Sequence, residues 1–328
     1  MILVTGGTGF IGSHLVDRLV AKQGCPVRCL VRRSSTAGSL PRAVELAYGD
    51  LESGAGLTEA MRGVDTVFHL AGVTKARTAA DYHRGNAVAT ANLLRAAGHA
   101  GNVGRLVHVS SLAAAGPSTA DRPLTEADEP RPVSHYGRSK LAGEEAVRQS
   151  PLRERTVIVR PPVVYGPRDR DVYQVIRTVA RGWMAQIGTA LRGFSHVYVG
   201  DLVDGLIAAA DRASAGAGGQ VFYLANSAPV SWDEFGNVAA RLMGRKVRTV
   251  AIPESAAYVL GLCAEWWTRL SGKPGILSRD KVLEACCAGW VCDPGRARRE
   301  LGFCASTGLE EGLRRTLDWY KEAGWLKF

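Results

Sequence analysis

The chain has 328 residues, 46% of them hydrophobic, and carries a formal net charge of +10 from 41 Lys and Arg against 31 Asp and Glu. That is enough apolar material for a sizeable core and more length than a usual single domain; nothing is low in complexity and no repeat period is evident. The charge does not make a nucleic-acid binder. The arginines are scattered, Arg296–Arg299 and Arg314-Arg315 neighbour Glu300, Glu310 and Glu311, and no aromatics interleave with them, so the positive surface is read as steering an anionic cofactor or substrate.

In chain order, Ile2-Leu3-Val4 reads as a strand that leads straight into Thr5-Gly6-Gly7-Thr8-Gly9-Phe10-Ile11-Gly12. A helical pattern follows, with Ile11, Leu15, Leu19 and Val20 on one side. Strand, glycine turn and helix form a pyrophosphate seat, because missing side chains admit the backbone and the helix start offers free N–H groups. The spacing is Gly6-x-x-Gly9-x-x-Gly12 rather than the common G-x-G-x-x-G, although Gly7 is also present. Because the opening residues already read as the cofactor strand, no signal peptide is expected.

The next strand, Pro26–Val31, ends at Arg32-Arg33, where an acid would hold the ribose of NAD or a base the extra phosphate of NADP. Two guanidiniums suit the phosphate, so NADP is the expected cofactor and NAD the alternative. Solvated strand-end charges are the other reading of the pair.

Tyr136-Gly137-Arg138-Ser139-Lys140 lies in a helical stretch running to about Gln149 and puts Tyr136 and Lys140 on one face. A free phenol titrates near 10, and an ammonium beside it lowers that value. Ser111, at the end of the strand Arg105–Val109, is placed to hold a substrate oxygen against the tyrosine. Ser111, Tyr136 and Lys140 are therefore the expected catalytic set for general acid–base chemistry coupled to hydride transfer.

With those motifs the chain resembles an extended short-chain dehydrogenase/reductase over nearly all its length. Further stretches resemble that family's patterns: Gly49-Asp50-Leu51 at the adenine, His69-Leu70-Ala71-Gly72 beside the cofactor ribose, Asn86 on the helix that follows, and Val199-Gly200-Asp201-Leu202. Arg160-Pro161-Pro162-Val163-Val164 resembles the loop over the nicotinamide. The resemblance thus implies cofactor contacts from Gly6, Gly9, Phe10, Ile11, Gly12, Arg32, Arg33, Asp50, Leu51, Leu70, Ala71, Gly72, Tyr136, Lys140, Pro161, Val163 and Val164. It assigns catalysis to Ser111 rather than Ser110. Read without it, Asp50 is a helix cap, Asn86 a partner for backbone groups and His69 a half-buried strand histidine.

The expected fold is α/β: a Rossmann-type, doubly wound parallel sheet over residues 1–165, with 197–225 returning to it. Residues 166–196 and 226–328 are expected to form a smaller, mainly α substrate-binding lobe. Nucleotide-sugar epimerases and dehydratases share this fold, but their usual arginine before the Val-x-Asp landmark is replaced by Phe194, with Arg192 two residues away. Val109–Pro117 resembles instead the 3β-hydroxysteroid dehydrogenase and sterol-4-carboxylate 3-dehydrogenase branch. An apolar, steroid-like substrate is the resulting expectation. A sugar epimerase or dehydratase and a non-catalytic dinucleotide sensor are the alternatives.

Ala256–Ala264 followed by Trp266-Trp267 reads as the wall of a lipid pocket, a membrane-surface contact, or simply a core helix of the lobe. No run is long enough to span a bilayer. Of seven cysteines, Cys286, Cys287, Cys292 and Cys304 are clustered, but no C-x-x-C pair exists and no histidine follows His196. Reduced thiols in a cytoplasmic protein, without a metal, are the expectation. A homodimer through residues 87–97 and 135–149 is what the resemblance implies.

Overall fold

The computed structural model describes residues 1–22, 24–35, 38, 40–187, 192–214, 219–259, 261–262 and 279–328. Six strands come in sequence: β1 (Ile2–Thr5), β2 (Val27–Val31), β3 (Glu45–Tyr48), β4 (Thr66–His69), β5 (Arg105–Val109) and β6 (Thr156–Val159). Between and after them lie α1 (Phe10–Ala21), α2 (Leu57–Ala60), α3 (Ala79–His83), α4 (Ala89–Ala100), α5 (Leu112–Ala115) and α6 (His135–Gln149). The chain continues through β7 (Val163–Tyr165), α7 (Asp171–Ala180), β8 (Trp183–Ile187), β9 (Gly193–Phe194), β10 (His196–Tyr198), α8 (Val199–Ser214), β11 (Val221–Phe222) and β12 (Val230–Ser231). It then runs through α9 (Trp232–Leu242), β13 (Arg248–Ile252), α10 (Arg279–Cys286), α11 (Gly295–Leu301) and α12 (Leu309–Glu322).

A seven-stranded sheet in the order β11-β6-β5-β4-β1-β2-β3, parallel throughout, forms the centre. Its inner strands are apolar nearly throughout because helices cover both faces. Side-chain alternation divides them: Val4, Cys29, Phe68, Val107 and Val157 meet α1 and α8 on one face, while Leu3, Leu30, Val67, Leu106 and Ile158 meet α2 and α4 on the other. The order reverses between β1 and β4, so the strand ends that leave a crevice are those of β1, β4 and β5, which carry Thr5, His69 and Ser111.

A second apolar core joins α7, α9 and α12 through Tyr165, Ile176, Met184, Phe194, Phe235, Leu317 and Tyr320. Short pairs frame it: β10 with β7, β12 with β9, and β13 with β8. The C-terminal part is not wholly separate from the sheet, because Ala297 of α11 and Phe303 pack with α8. Among the described residues no helix is long and apolar enough to cross a membrane.

Candidate active site

The glycine turn is fixed by contacts that a side chain would destroy. Gly6 has φ +72°, and a Cβ there would lie 2.6 Å from the backbone nitrogen of Ala71. At Gly12 a Cβ would lie 2.1 Å from the Gly6 carbonyl, which also accepts from the Gly9 N–H at 2.9 Å. Gly9 caps α1 without a side-chain bond, and the first turn holds no acid. The leading N–H groups of α1 are thus left to an anion, and this cradle fits the diphosphate of a dinucleotide.

Around the cradle the neighbouring strand ends are tied together. Thr5 Oγ1 accepts from the Ala71 N–H at 3.2 Å and bonds His69 Nδ1 at 2.7 Å, while His69 Nε2 bonds Thr90 Oγ1 at 2.9 Å. Burial pushes His69 down to about 3, so the ring stays neutral and acts as a strut. Asp50 caps a turn, accepting from the Ser53 N–H at 2.7 Å and hydroxyl at 3.0 Å, and these bonds hold its carboxyl low. Arg32 and Arg33 stand exposed beyond β2, with Arg33 5.6 Å from the centre of the Tyr48 ring. The carbonyl of Leu51 accepts from Asn92 Nδ2 at 2.9 Å.

At the other end of the crevice a small cavity gathers Ile11, Leu70, Gly72, Ser111, Tyr136, Lys140, Pro161 and Val164, together with Asn86 and Pro162. The local sequence explains how. Ser134 caps α6 by accepting from the Gly137 N–H at 2.9 Å, which starts the helix one residue before Tyr136. Ser111 caps α5, its hydroxyl accepting from the Ala113 N–H at 3.2 Å, and it lines the same small cavity as Tyr136. Asn86 fixes the loop after β4: its Oδ1 accepts from the Val73 N–H at 2.7 Å, and its Nδ2 donates to Ser139 Oγ at 2.8 Å. Gly72 is required here, since a Cβ would lie 2.9 Å from Asn86 Oδ1 and 3.6 Å from Lys140 Nζ.

The electrostatics of the phenol depart from the sequence expectation. Lys140 donates from Nζ to the Val109 carbonyl at 2.7 Å, and burial pushes its ammonium down to about 8, against the pull of Glu144. Burial raises Tyr136, and the strongest opposing influence is the ammonium of Lys281, followed by the Ser111 hydroxyl. Lys281 Nζ lies 5.4 Å from the centre of the Tyr136 ring. Sequence reasoning did not find Lys281, because it comes from α10, far along the chain and outside any motif.

A buried ion pair beneath the site was missed as well. Glu144 and Arg160, 0% and 2% exposed, meet through two bonds, Arg160 Nε to Oε1 at 2.8 Å and Nη2 to Oε2 at 2.7 Å. Ser110 donates to Glu144 at 2.6 Å and Arg160 donates to Tyr223 at 3.2 Å. The neighbour of the expected catalytic serine thereby links α6 to the loop that carries Pro161 and Val164. Asp201 is likewise structural, accepting from the Thr307 N–H at 2.9 Å and hydroxyl at 3.0 Å.

Ser111, Tyr136, Pro162 and Val163 also border a larger cavity of about 450 Å³. Its other walls are mainly apolar, including Met184, Ile187, Phe194, Trp232 and Trp290. Phe194 stacks on Trp232 with ring centres 4.3 Å apart. Arg192 lines the cavity too, but it is engaged with the Ile187 and Ala285 carbonyls and Glu254. Of the apolar segment noted in the sequence, Leu260, Cys263, Ala264, Trp266 and Trp267 lie outside the described residues, while Tyr258 and Val259 are exposed. Among the described residues no three metal-ligating side chains gather.

A parallel doubly wound sheet, a diphosphate cradle and a Ser/Tyr/Lys cluster at the crevice define a dinucleotide-dependent oxidoreductase. Residues 2–225 match the NAD dependent epimerase/dehydratase family. Ceramide reductase of Caulobacter vibrioides is 32% identical, over 99% of this chain and 96% of its own length. Sterol-4-alpha-carboxylate 3-dehydrogenase, decarboxylating, of Candida albicans is 29% identical, over 98% of this chain and 97% of its own. The solved structure of MoeE5 in complex with UDP-glucose and NAD has a TM-score of 0.77 and 29% identity, covering 98% of this chain and 99% of that one. The chain belongs to the NAD-dependent epimerase/dehydratase family, as an enzyme of the extended short-chain dehydrogenase/reductase type.

Proposed function

We propose that this enzyme interconverts a secondary alcohol and a ketone on an apolar lipid, of the steroid or long-chain class, with NADP(H) or NAD(H). The observation that carries this reading is the aromatic and aliphatic cavity opening directly onto Ser111 and Tyr136. Phe194, buried and stacked, occupies the place where sugar-nucleotide relatives carry an arginine, so the wall offers ring surface where a diphosphate needs charge. The relatives named for ceramide and for a sterol acid support the same substrate class.

A bound nicotinamide would supply or accept the hydride at the substrate carbon. In the oxidising direction Tyr136, as phenolate, takes the proton of the substrate hydroxyl while Ser111 holds the oxygen. In the reducing direction the neutral phenol returns a proton to the developing alkoxide. Lys140, fixed by the Val109 carbonyl beside Gly72, is placed to hold the cofactor ribose. Residues 166–196 with most of 226–328 serve as the substrate lobe.

The test is incubation of the purified protein with NAD⁺ or NADP⁺ and a 3β-hydroxysteroid, a 4-carboxysterol or a ceramide, followed by absorbance of the reduced cofactor. Accumulation is expected with at least one of these alcohols, and Tyr136→Phe should slow it by on the order of 10²–10⁴. Conversion of UDP-glucose to another sugar nucleotide without net cofactor reduction would instead establish the sugar-nucleotide reading, which the MoeE5 likeness keeps in view.

A further inference from the structure

We propose that Lys281 is a second cation serving Tyr136, held over the phenol by a clamp in which Asp280 and Glu284 fasten α10 to the start of α6. The proposal rests on the acid–base role of Tyr136 given above and extends it to a residue outside the Ser/Tyr/Lys set.

The clamp consists of contacts on three consecutive residues. Asp280 accepts from the N–H of His135 at 2.9 Å and of Tyr136 at 3.1 Å, two groups of the first helical turn that have no partner within α6. Ser134 donates to Glu284 Oε1 at 2.6 Å while it caps the same turn. Glu284 Oε2 then accepts from Lys281 Nζ at 2.8 Å, which sets the ammonium 5.4 Å from the centre of the Tyr136 ring. Apart from the Lys281–Glu284 pair, which lies within one turn of α10, these contacts span 144 to 150 positions of chain, so the docking of α10 on α6 does not arise from local helix chemistry.

The groups facing the phenol can be weighed by sign. Lys281 favours the phenolate, and the nearby Ser111 hydroxyl does so to a lesser degree. Glu284 opposes it, as does Tyr82 of α3, whose ring centre lies 6.0 Å away. Asp280 is engaged with the backbone of the helix start, and Lys140, one turn on, is bound to the Val109 carbonyl. Glu284 therefore has two effects: it fixes the ammonium in place and moderates its charge. Lys281 lines the large cavity and keeps 39% of its side chain exposed there, so water screens it while the cavity is open. An apolar substrate that displaces this water lowers the local dielectric and strengthens the pull of Lys281 on the phenol. The same loss of water desolvates the phenolate and raises Tyr136, and the ammonium of Lys281 is the group placed to oppose that rise.

The test uses the full-length protein with NAD⁺ bound and tyrosine labelled at the hydroxyl-bearing ring carbon. The Tyr136 resonance is assigned by its loss in Tyr136→Phe and followed through the alkaline range by carbon NMR. Lys281→Met should raise the titration midpoint by about one unit, a tenfold loss of phenolate at fixed pH, and Lys281→Arg should restore it. Lys281→Gln repeats the measurement with a polar side chain in case the methionine disturbs the fold. In turnover, kcat should drop about tenfold at neutral pH with KM little changed, and recover as the pH is raised. A wild-type phenol that ionises no earlier than that of Lys281→Met and Lys281→Gln overturns the proposal. Absence of turnover with every alcohol tried would sink the functional reading alone, since the phenol titration needs no substrate.

Discussion

The two sides of the crevice are built by different means. On the cofactor side, strands pair in parallel register and the diphosphate cradle is made of backbone, with glycines where a Cβ would collide. On the cavity side, the walls are side chains from segments as far apart as Ser111 and Trp290, and the sheets are two-stranded pairs. A backbone site tolerates almost no change at a few positions, whereas a side-chain site can be reshaped one residue at a time. That contrast fits a family in which one cofactor serves many substrates.

The contrast concerns what touches the cofactor, and beneath that backbone surface the buried Glu144–Arg160 pair is a side-chain support whose weight can be measured. Glu144→Ala leaves the Arg160 guanidinium buried without its carboxylate, and we expect a loss of about 3–5 kcal/mol in denaturant unfolding. A Glu144→Leu, Arg160→Met double variant should recover much of that loss, because no buried guanidinium is left unpaired and Arg148, the other partner of Glu144, is a third exposed and still reaches Glu145. If Glu144→Ala unfolds at the wild-type midpoint, the pair contributes nothing to the loop above it.

Next in size is a test of the backbone cradle. Gly12→Val places carbon where the Gly6 carbonyl sits, and NAD affinity in a fluorescence titration should fall about a hundredfold, roughly 3 kcal/mol. Gly24→Ala, where a Cβ meets nothing within 4 Å, should leave it unchanged. Equal affinities in the two variants would remove the argument that the turn is shaped for a diphosphate.

These two experiments also separate what was legible in the sequence from what was not. The glycine turn, the strand that enters it and the Tyr136–Lys140 turn are local patterns, and the fold that carries them follows from the alternation of strands and helices. Lys281, Asp280 and Glu284 lack such a signature, because only the folded chain brings α10 against the start of α6. Arg160 was read as part of a loop motif, but its partner Glu144 sits mid-helix among charged neighbours, where a buried carboxylate looks like a solvated one. His69 was read as ambiguous, and its neutral, doubly bonded state depends on Thr90, 21 residues away.

The nucleotide end sharpens the comparison at smaller scale. Arg32 and Arg33 are exposed and lie beyond the residues that surround Tyr136, so they can affect the choice of cofactor without affecting the chemistry. Removing both as Arg32→Ala, Arg33→Ala should weaken NADP by about tenfold or more, the worth of one charge-assisted bond, and leave NAD nearly unchanged. Equal losses for both cofactors would mean that the arginines stack on adenine and do not read the phosphate.

A pH-dependent effect comes from the second core, at His196. It lies between Tyr165 and Phe194, with ring centres 5.8 and 6.5 Å away, and neither ring nitrogen has a hydrogen-bond partner among the described residues. Burial pushes it down to about 4, below the value near 6.5 of an unfolded histidine. Between those values the unfolded chain binds a proton that the folded chain refuses. The stability in question is therefore complete above about pH 6.5 and is lost as the pH falls toward 4. His196→Phe removes that proton and should flatten the acid limb of stability against pH by up to about 1.4 kcal/mol per unit, while costing little at pH 8 because no hydrogen bond is given up. The remaining slope then belongs to groups such as His69, pushed down to about 3 within the cofactor side. An unchanged slope in His196→Phe would place the acid sensitivity entirely on that side of the crevice.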